Sequence, residues 1–127
     1  MENIIFEKIN EIKRIKEELE RKLNIKIAIE GKKVTIEGSP LEEYEAMNIL
    51  EAVSFGFSVK EALSLKDENI IFRKLHIRDF TRRKNLREVK SRIIGKEGKT
   101  KRTIEEVSEC RLSLHDNEVG IIGSAES

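Results

Sequence analysis

Tryptophan and glutamine are absent from this chain of 127 residues, and cysteine, proline and tyrosine each occur once. The lone Cys110 excludes an intrachain disulfide and a cysteine-based metal cluster; it reads as a small buried hydrophobe at a strand start. No apolar run approaches the roughly 20 residues that a membrane-spanning helix needs, and no charged-then-apolar leader opens the chain. His76 and His115 stand far apart, and neither begins a spaced metal motif. The glutamate pairs at 42–43 and 105–106 read as helix-capping or solvated groups rather than as an acid–base pair. These absences point to an intracellular, cytoplasmic protein that is not an enzyme and needs no cofactor. In their place stand many Lys, Glu and Ile residues, a bias similar to that of proteins from heat-loving microbes. Charged residues make up 39% and hydrophobic residues 38%, so the core is thin and the surface densely charged.

Net charge is +1, but its distribution is uneven. Residues 73–102 hold 13 Lys/Arg against 3 Asp/Glu, a net of +10, while the remainder holds 12 against 21, a net of −9. A strongly basic third on an otherwise acidic chain is the electrostatic footprint of a polyanion-binding surface.

Hydrophobic spacing predicts an α+β organisation. Ile5, Ile9, Ile12, Ile15, Leu19 and Leu23 recur at helical intervals. Ile25, Ile27 and Ile29 alternate with less apolar neighbours, Gly31-Lys32 turns, and Val34 and Ile36 continue a second strand. Ser39-Pro40-Leu41-Glu42 is a capping box with proline at the first helical position, opening a helix to about Phe55. Ser58 and Glu61 repeat the box for a short helix to about Leu65. A strand near Ile70–Ile77 precedes a basic loop, Arg78 to Asn85. Leu86, Val89, Ile93 and Ile94 then line a helix that stops at Gly95. Ile104 and Val107 are expected to face inward from the next helix, and Leu112 and Leu114 begin a hairpin that returns through Val119–Ile122.

Two copies of one pattern are visible. Val34-Thr35-Ile36-Glu37-Gly38-Ser39-Pro40 parallels Val119-Gly120-Ile121-Ile122-Gly123-Ser124-Ala125, and Glu17-Glu18-Leu19 parallels Glu105-Glu106-Val107. Aligned on those glutamates, the first copy is three residues longer and carries Glu7-Lys8-Ile9-Asn10 where the second carries Gly95-Lys96-Glu97-Gly98. The second copy ends just after Gly123-Ser124, where the first begins a helix. Apolar surface around Leu112, Leu114, Val119 and Ile121 is therefore expected to need cover from the first copy, a partner, self-association or a segment beyond Ser127. The two copies are placed at residues 1–66 and 67–127.

The segment Gly95-Lys96-Glu97-Gly98-Lys99-Thr100 concentrates the chemistry. Glycines three apart let backbone approach a bulky anion, the following helix offers unpaired N–H groups, and Lys96, Lys99, Lys101 and Arg102 surround the turn. Set between two helices and followed by a hairpin, Ile93-Ile94-Gly95-x-x-Gly98 resembles a K-homology (KH) RNA-binding domain of the eukaryotic-type topology. The whole chain resembles the archaeal two-KH-domain ribosome-assembly proteins, relatives of the eukaryotic partner-of-Nob and Krr factors. The match is carried by Val53-Ser54-Phe55-Gly56-Phe57-Ser58 with Glu61-Ala62-Leu63, by His76-Ile77-Arg78-Asp79-Phe80, and by Arg92 through Arg102. The resemblance implies two type I KH-like modules, the first degenerate without its glycine turn, the second lacking its C-terminal helix. It also implies single-stranded RNA as ligand, near the 3′ end of small-subunit ribosomal RNA, with a Nob-type nuclease and the alpha subunit of translation initiation factor two as protein partners.

In such a domain the glycine turn clamps about four nucleotides. The backbone N–H groups of Lys96 to Lys99 are expected to meet phosphate, with Lys96, Lys99, Lys101 and Arg102 adding charge and Glu97 pointing away. Ile93 and Ile94 would floor a base site with a residue of the 111–115 strand, and Arg92 and Arg111 would touch base edges or phosphate; Thr100 completes the turn. Two other readings compete: a DNA-binding helix-turn-helix, and a protein scaffold with no RNA role, invited by the acidic first half. A nucleotide-binding P-loop fails because Ile93 stands where its first glycine belongs.

Overall fold

A computed structural model describes residues 2–5, 9–79 and 85–124. Phe80 and most of the expected basic loop lie outside the described residues, as do Glu7, Lys8 and Ala125 to Ser127. The chain divides into two compact units, Met1–Ser54 and Phe55–Ser127. That boundary falls ahead of the expected 66/67. Phe55 stacks on Phe57 at 6.2 Å between ring centroids, and Phe72 meets both rings edge-on at 5.8 and 5.7 Å. This aromatic cluster ties residues 55–57 to the second unit.

The first unit opens with strand β1 (Glu2–Ile5), then helix α1 (Ile9–Leu23), the hairpin β2 (Lys26–Glu30) and β3 (Lys33–Glu37), and all but the last residue of helix α2 (Pro40–Phe55). Its antiparallel sheet runs β1-β3-β2. Alternation in the strands does what the sequence pattern demands: Ile27, Val34 and Ile36 are buried, as are Ile12 and Leu19 on α1 and Ile49 and Leu50 on α2. The predicted capping box opens α2, with the Ser39 hydroxyl accepting from Glu42 N–H and the Glu42 carboxylate accepting from Ser39 N–H, both at 3.2 Å. Strand β1 corrects the sequence reading, which had run the helical stripe back to Ile5. Four residues are too few for two-residue alternation to stand out, and β1 is fixed by pairing Glu2 to Ile5 against Ile36 to Lys33.

The second unit holds a short helix α3 (Val59–Leu63), strand β4 (Ile70–His76), helix α4 (Leu86–Ile94), helix α5 (Lys99–Ser108), and the hairpin β5 (Arg111–His115) and β6 (Glu118–Ser124). Its antiparallel sheet, β4-β6-β5, repeats the order of the first. His76 and His115 each end a strand.

The two copies superpose in sequence at a constant interval of 85. Glu20 accepts a hydrogen bond from Ile27 N–H at 2.8 Å, and Glu105 accepts one from Leu112 N–H at 2.9 Å. Asn24 and Glu109 end the two helices with the same positive φ of 53°. Ile25 N–H reaches the Glu20 carbonyl as Cys110 N–H reaches that of Glu105. Both hairpins turn in two residues, Gly31-Lys32 and Asp116-Asn117. The three-residue insertion inferred from the Glu-Glu pairs is therefore wrong: Glu20, not Glu17, matches Glu105. At this register the glycine turn falls on Asn10–Lys13, inside continuous helix α1.

Val107 also departs from expectation. It is 81% exposed and Ile104 39%, whereas Leu19, the counterpart of Ile104, is fully buried. The inward line of α5 runs instead through half-buried Lys101 and buried Glu105. Leu112 and Ile122 are buried, and Leu114, Val119 and Ile121 are half-buried. In the first unit α2 follows the matching Gly38-Ser39; among the described residues no helix follows Gly123-Ser124.

Candidate nucleic-acid interface

Helix α4 is capped by Asn85, whose side chain accepts from Glu88 N–H at 3.2 Å, and ends where Gly95 N–H bonds to the Ser91 carbonyl at 2.8 Å. Gly95 then takes φ 74°, ψ 176°, a region essentially reserved for glycine. Its second constraint is steric: a Cβ there would sit 2.2 Å from Thr100 Oγ1 and 2.7 Å from Thr100 N. Gly98 has φ 76°, ψ 12° and open space where a Cβ would stand. The two glycines thus serve different ends. Gly95 lets the start of α5 press against the end of α4, and Gly98 supplies the left-handed step into α5.

Between them lies a single tight turn, Lys96–Gly98. Gly98 N–H bonds to the Gly95 carbonyl at 3.3 Å, and Lys99 N–H to the Lys96 carbonyl. These two amides point into the turn, which corrects the expectation that all four from Lys96 to Lys99 meet a ligand. Lys96 and Glu97 hold the turn's first amides, which have no acceptor within it. Glu97 occupies φ 57°, ψ 28°, and both residues are exposed.

The surrounding cations divide by what they already hold. Lys96 and Lys99 have no ion pair among the described residues. Arg92 is exposed and paired with Glu88 at 2.8 Å. Lys101 lies 3.6 Å from the buried Glu105 carboxylate, and Arg102 donates to the Glu97 carbonyl at 2.9 Å. Arg102 therefore braces the turn from below rather than standing open beside it. Arg111 sits 4.0 Å from Glu61.

Next to the turn a groove of about 290 Å³ is lined by Phe57, Glu61, Ile94, Lys101, Leu112 and Leu114, among others. Ile94 is 37% exposed, while Ile93 is half-buried and does not line the groove. Strand β5 is an edge strand, and its register with β6 leaves Leu112 and Leu114 with backbone groups directed away from the ladder. Glu105 takes the Leu112 N–H, so a buried carboxylate locks α5 to the strand that lines the groove. Phe57 and Glu61 were missed as groove residues in the sequence, because a capping box and core packing account for them locally.

A cleft with Ile94, Leu112 and Leu114 in its walls, beside a turn whose exposed lysines hold no ion pair among the described residues, can receive a flat ring and its attached phosphate together. Helix α5 leads into the β5–β6 hairpin, so the helix pair is built into a sheet.

The protein family whose signature matches is the eukaryotic type KH-domain (KH-domain type I), over residues 71–127. A KH domain-containing protein of Methanocaldococcus jannaschii is 34% identical over 119 residues, covering 88% of this chain and 52% of that protein. The RNA-binding protein pno1 of Dictyostelium discoideum is 34% identical over 102 residues, covering 78% and 42%. The chain thus spans about half the length of the curated relatives it matches. A chain of the a/eIF2alpha–aDim2p–rRNA complex from Pyrococcus horikoshii OT3 is similar with a TM-score of 0.82 and 28% identity, over 98% of this chain and 76% of that one.

Proposed function

With a type I KH domain at residues 71–127 and proteins of the pno1 and Dim2p kind as its relatives, we propose that this chain binds single-stranded RNA through its glycine turn. The observation that carries the reading is the exposed Lys96-Glu97 turn beside the apolar groove at Ile94, Leu112 and Leu114. Phosphate oxygens accept from the Lys96 and Glu97 amides while Lys96 and Lys99 supply charge. An unstacked base lies on Ile94 against β5, Arg92 exchanges its Glu88 partner for RNA, and Arg111 reaches RNA while staying beside Glu61. Phosphate contacts fix register and base contacts give preference.

The first unit is a degenerate KH-like module without a glycine turn, and the second is one without a final helix among its described residues. The RNA is small-subunit ribosomal RNA during assembly. The protein partners are a Nob-type nuclease and the initiation factor two alpha subunit, the latter supported by the subunit named in the Pyrococcus complex. The chain performs no catalysis of its own. The strand after α5 disfavours a helix-turn-helix, and the free amides of the turn disfavour a pure scaffold.

Fluorescence anisotropy with a labelled unstructured RNA and a duplex DNA of equal length tests this. The RNA binds more tightly, and Lys96→Glu with Lys99→Glu weakens it more than tenfold. Losing two phosphate contacts flattens the salt dependence by about 1.4, at roughly 0.7 per contact on a single strand. Tighter binding of the duplex, or an unchanged salt slope in the variant, contradicts the proposal.

A further inference from the structure

The groove contains one carboxylate, that of Glu61, which the phosphate-gripping turn does not use. Glu61 sits in the capping box of α3: Ser58 Oγ accepts from Glu61 N–H at 3.1 Å, and Glu61 Oε1 accepts from Ser58 N–H at 3.0 Å. Its side chain, 33% exposed, is thereby fixed while lining the groove with Leu112, Leu114 and Phe57. The other oxygen, Oε2, lies 4.0 Å from Arg111 Nε, too far for a hydrogen bond. A fixed carboxylate oxygen with unused lone pairs and an arginine beside it to balance charge is a reader of N–H donors, since an ionised carboxylate only accepts.

We propose that Glu61 sets the base preference of the groove, its Oε2 accepting from the exocyclic amino group of adenine or cytosine. This rests on the single-stranded RNA reading above. Adenine and cytosine carry an amino donor on the Watson–Crick edge where uracil carries the acceptor O4. Uracil seated the same way turns O4 toward the carboxylate, and two acceptors face each other unpaired. A site built to take a hydrogen bond discriminates against a ligand that cannot give it. The apolar walls supply stacking area to either kind of base, and among the groove's polar side chains, which also include Lys101 and Ser113, the fixed Glu61 oxygen is the charged acceptor for an amino donor.

The discriminating variant is Glu61→Gln. Glutamine serves the capping box as glutamate does, and its amide oxygen must take the Oε1 position to accept from Ser58 N–H. That places the amide NH₂ where Oε2 was, converting the acceptor into a donor without changing size or shape. Anisotropy titrations of the full chain with hexamers of adenylate, cytidylate and uridylate at one salt concentration read the outcome. The unmodified chain binds the adenylate and cytidylate hexamers about tenfold more tightly than the uridylate hexamer. In Glu61→Gln that ranking narrows or inverts toward uridylate, with an unchanged melting temperature showing the cap intact. Equal binding of all three hexamers by the unmodified chain, or the same ranking in the variant, overturns the role of Glu61 and leaves the RNA reading standing. Binding of none of them overturns both.

Discussion

The two glycines of the turn look interchangeable in sequence and are not. Consider Gly95→Ala and Gly98→Ala. At Gly95 the backbone lies at φ 74°, ψ 176°, where a side chain costs about 1–3 kcal/mol. The new methyl would also stand 2.2 Å from Thr100 Oγ1, 2.6 Å from its Cβ and 2.7 Å from its backbone N. Rotating Thr100 relieves only the first contact, because the backbone nitrogen cannot move without shifting α5. Overpacking of this kind adds about 1–3 kcal/mol, for a total of about 2–6 kcal/mol. At Gly98 nothing lies within 4 Å of a Cβ, so only the left-handed conformation is charged, about 1–2 kcal/mol. One kcal/mol moves the melting temperature of a unit this size by about 4–8 °C. Thermal unfolding followed by circular dichroism and calorimetry should therefore show Gly95→Ala lowering the second unit's transition by roughly 10 °C or more, and Gly98→Ala by clearly less. Equal losses, or a larger loss at Gly98, would refute the division of labour between the two positions. The same geometry means that an aspartate at Gly95 perturbs the fold as well as RNA binding, so charge reversal at Lys96 and Lys99 is the cleaner probe of the ligand.

Other perturbations report on the frame that holds the groove. Glu105→Ala removes the acceptor for Leu112 N–H and should cost about 1–3 kcal/mol, the penalty for an unmet buried polar group; denaturant titration reads it, and no loss would mean water replaces the carboxylate. Glu20→Ala should cost less in the first unit, because the matching bond to Ile27 is only part-buried; a loss larger than that of Glu105→Ala would argue against structural equivalence of the copies. A methyl at Gly120 would lie 2.5 Å from Phe55 Cε1 and 3.0 Å from Phe57 Cε2, so Gly120→Ala should destabilise the second unit by about 1–3 kcal/mol. An unchanged melting temperature there would show that the Phe55–Phe57 cluster yields freely.

Much of this fold was legible because local rules and tertiary packing agree. The alternation in β2 and β3, the two serine capping boxes, the Gly31-Lys32 turn and the glycine stop of α4 all appear where the residues predict them. The failures have physical causes. Strand β1 shows no alternation of its own and exists through pairing with β3. The repeat was misregistered because Glu17-Glu18 and Glu105-Glu106 look alike, whereas the bond from a helix glutamate to the following strand matches Glu20 to Glu105. Val107 sits at helical spacing from Ile104, yet spacing alone does not say which face is inward, and Val107 matches Lys22, which is exposed in the first copy too. Within the candidate site, the position of the turn between two helices was readable from the glycine spacing of residues 95–98. The inward amides of Gly98 and Lys99 and the Arg102 brace were not, because they depend on how the turn closes. Glu61 was hidden for another reason: a capping box explains it fully until the fold brings it beside β5.

Amide chemical-shift mapping during titration with an unstructured RNA hexamer bears most directly on whether an exposed turn grips a nucleotide backbone. The amides of Lys96 and Glu97 should move most, with Ile94 and Leu112 to Leu114 moving alongside, while α1 of the first unit stays still. A titration in which those turn amides remain fixed and the shifts gather on another surface would contradict it.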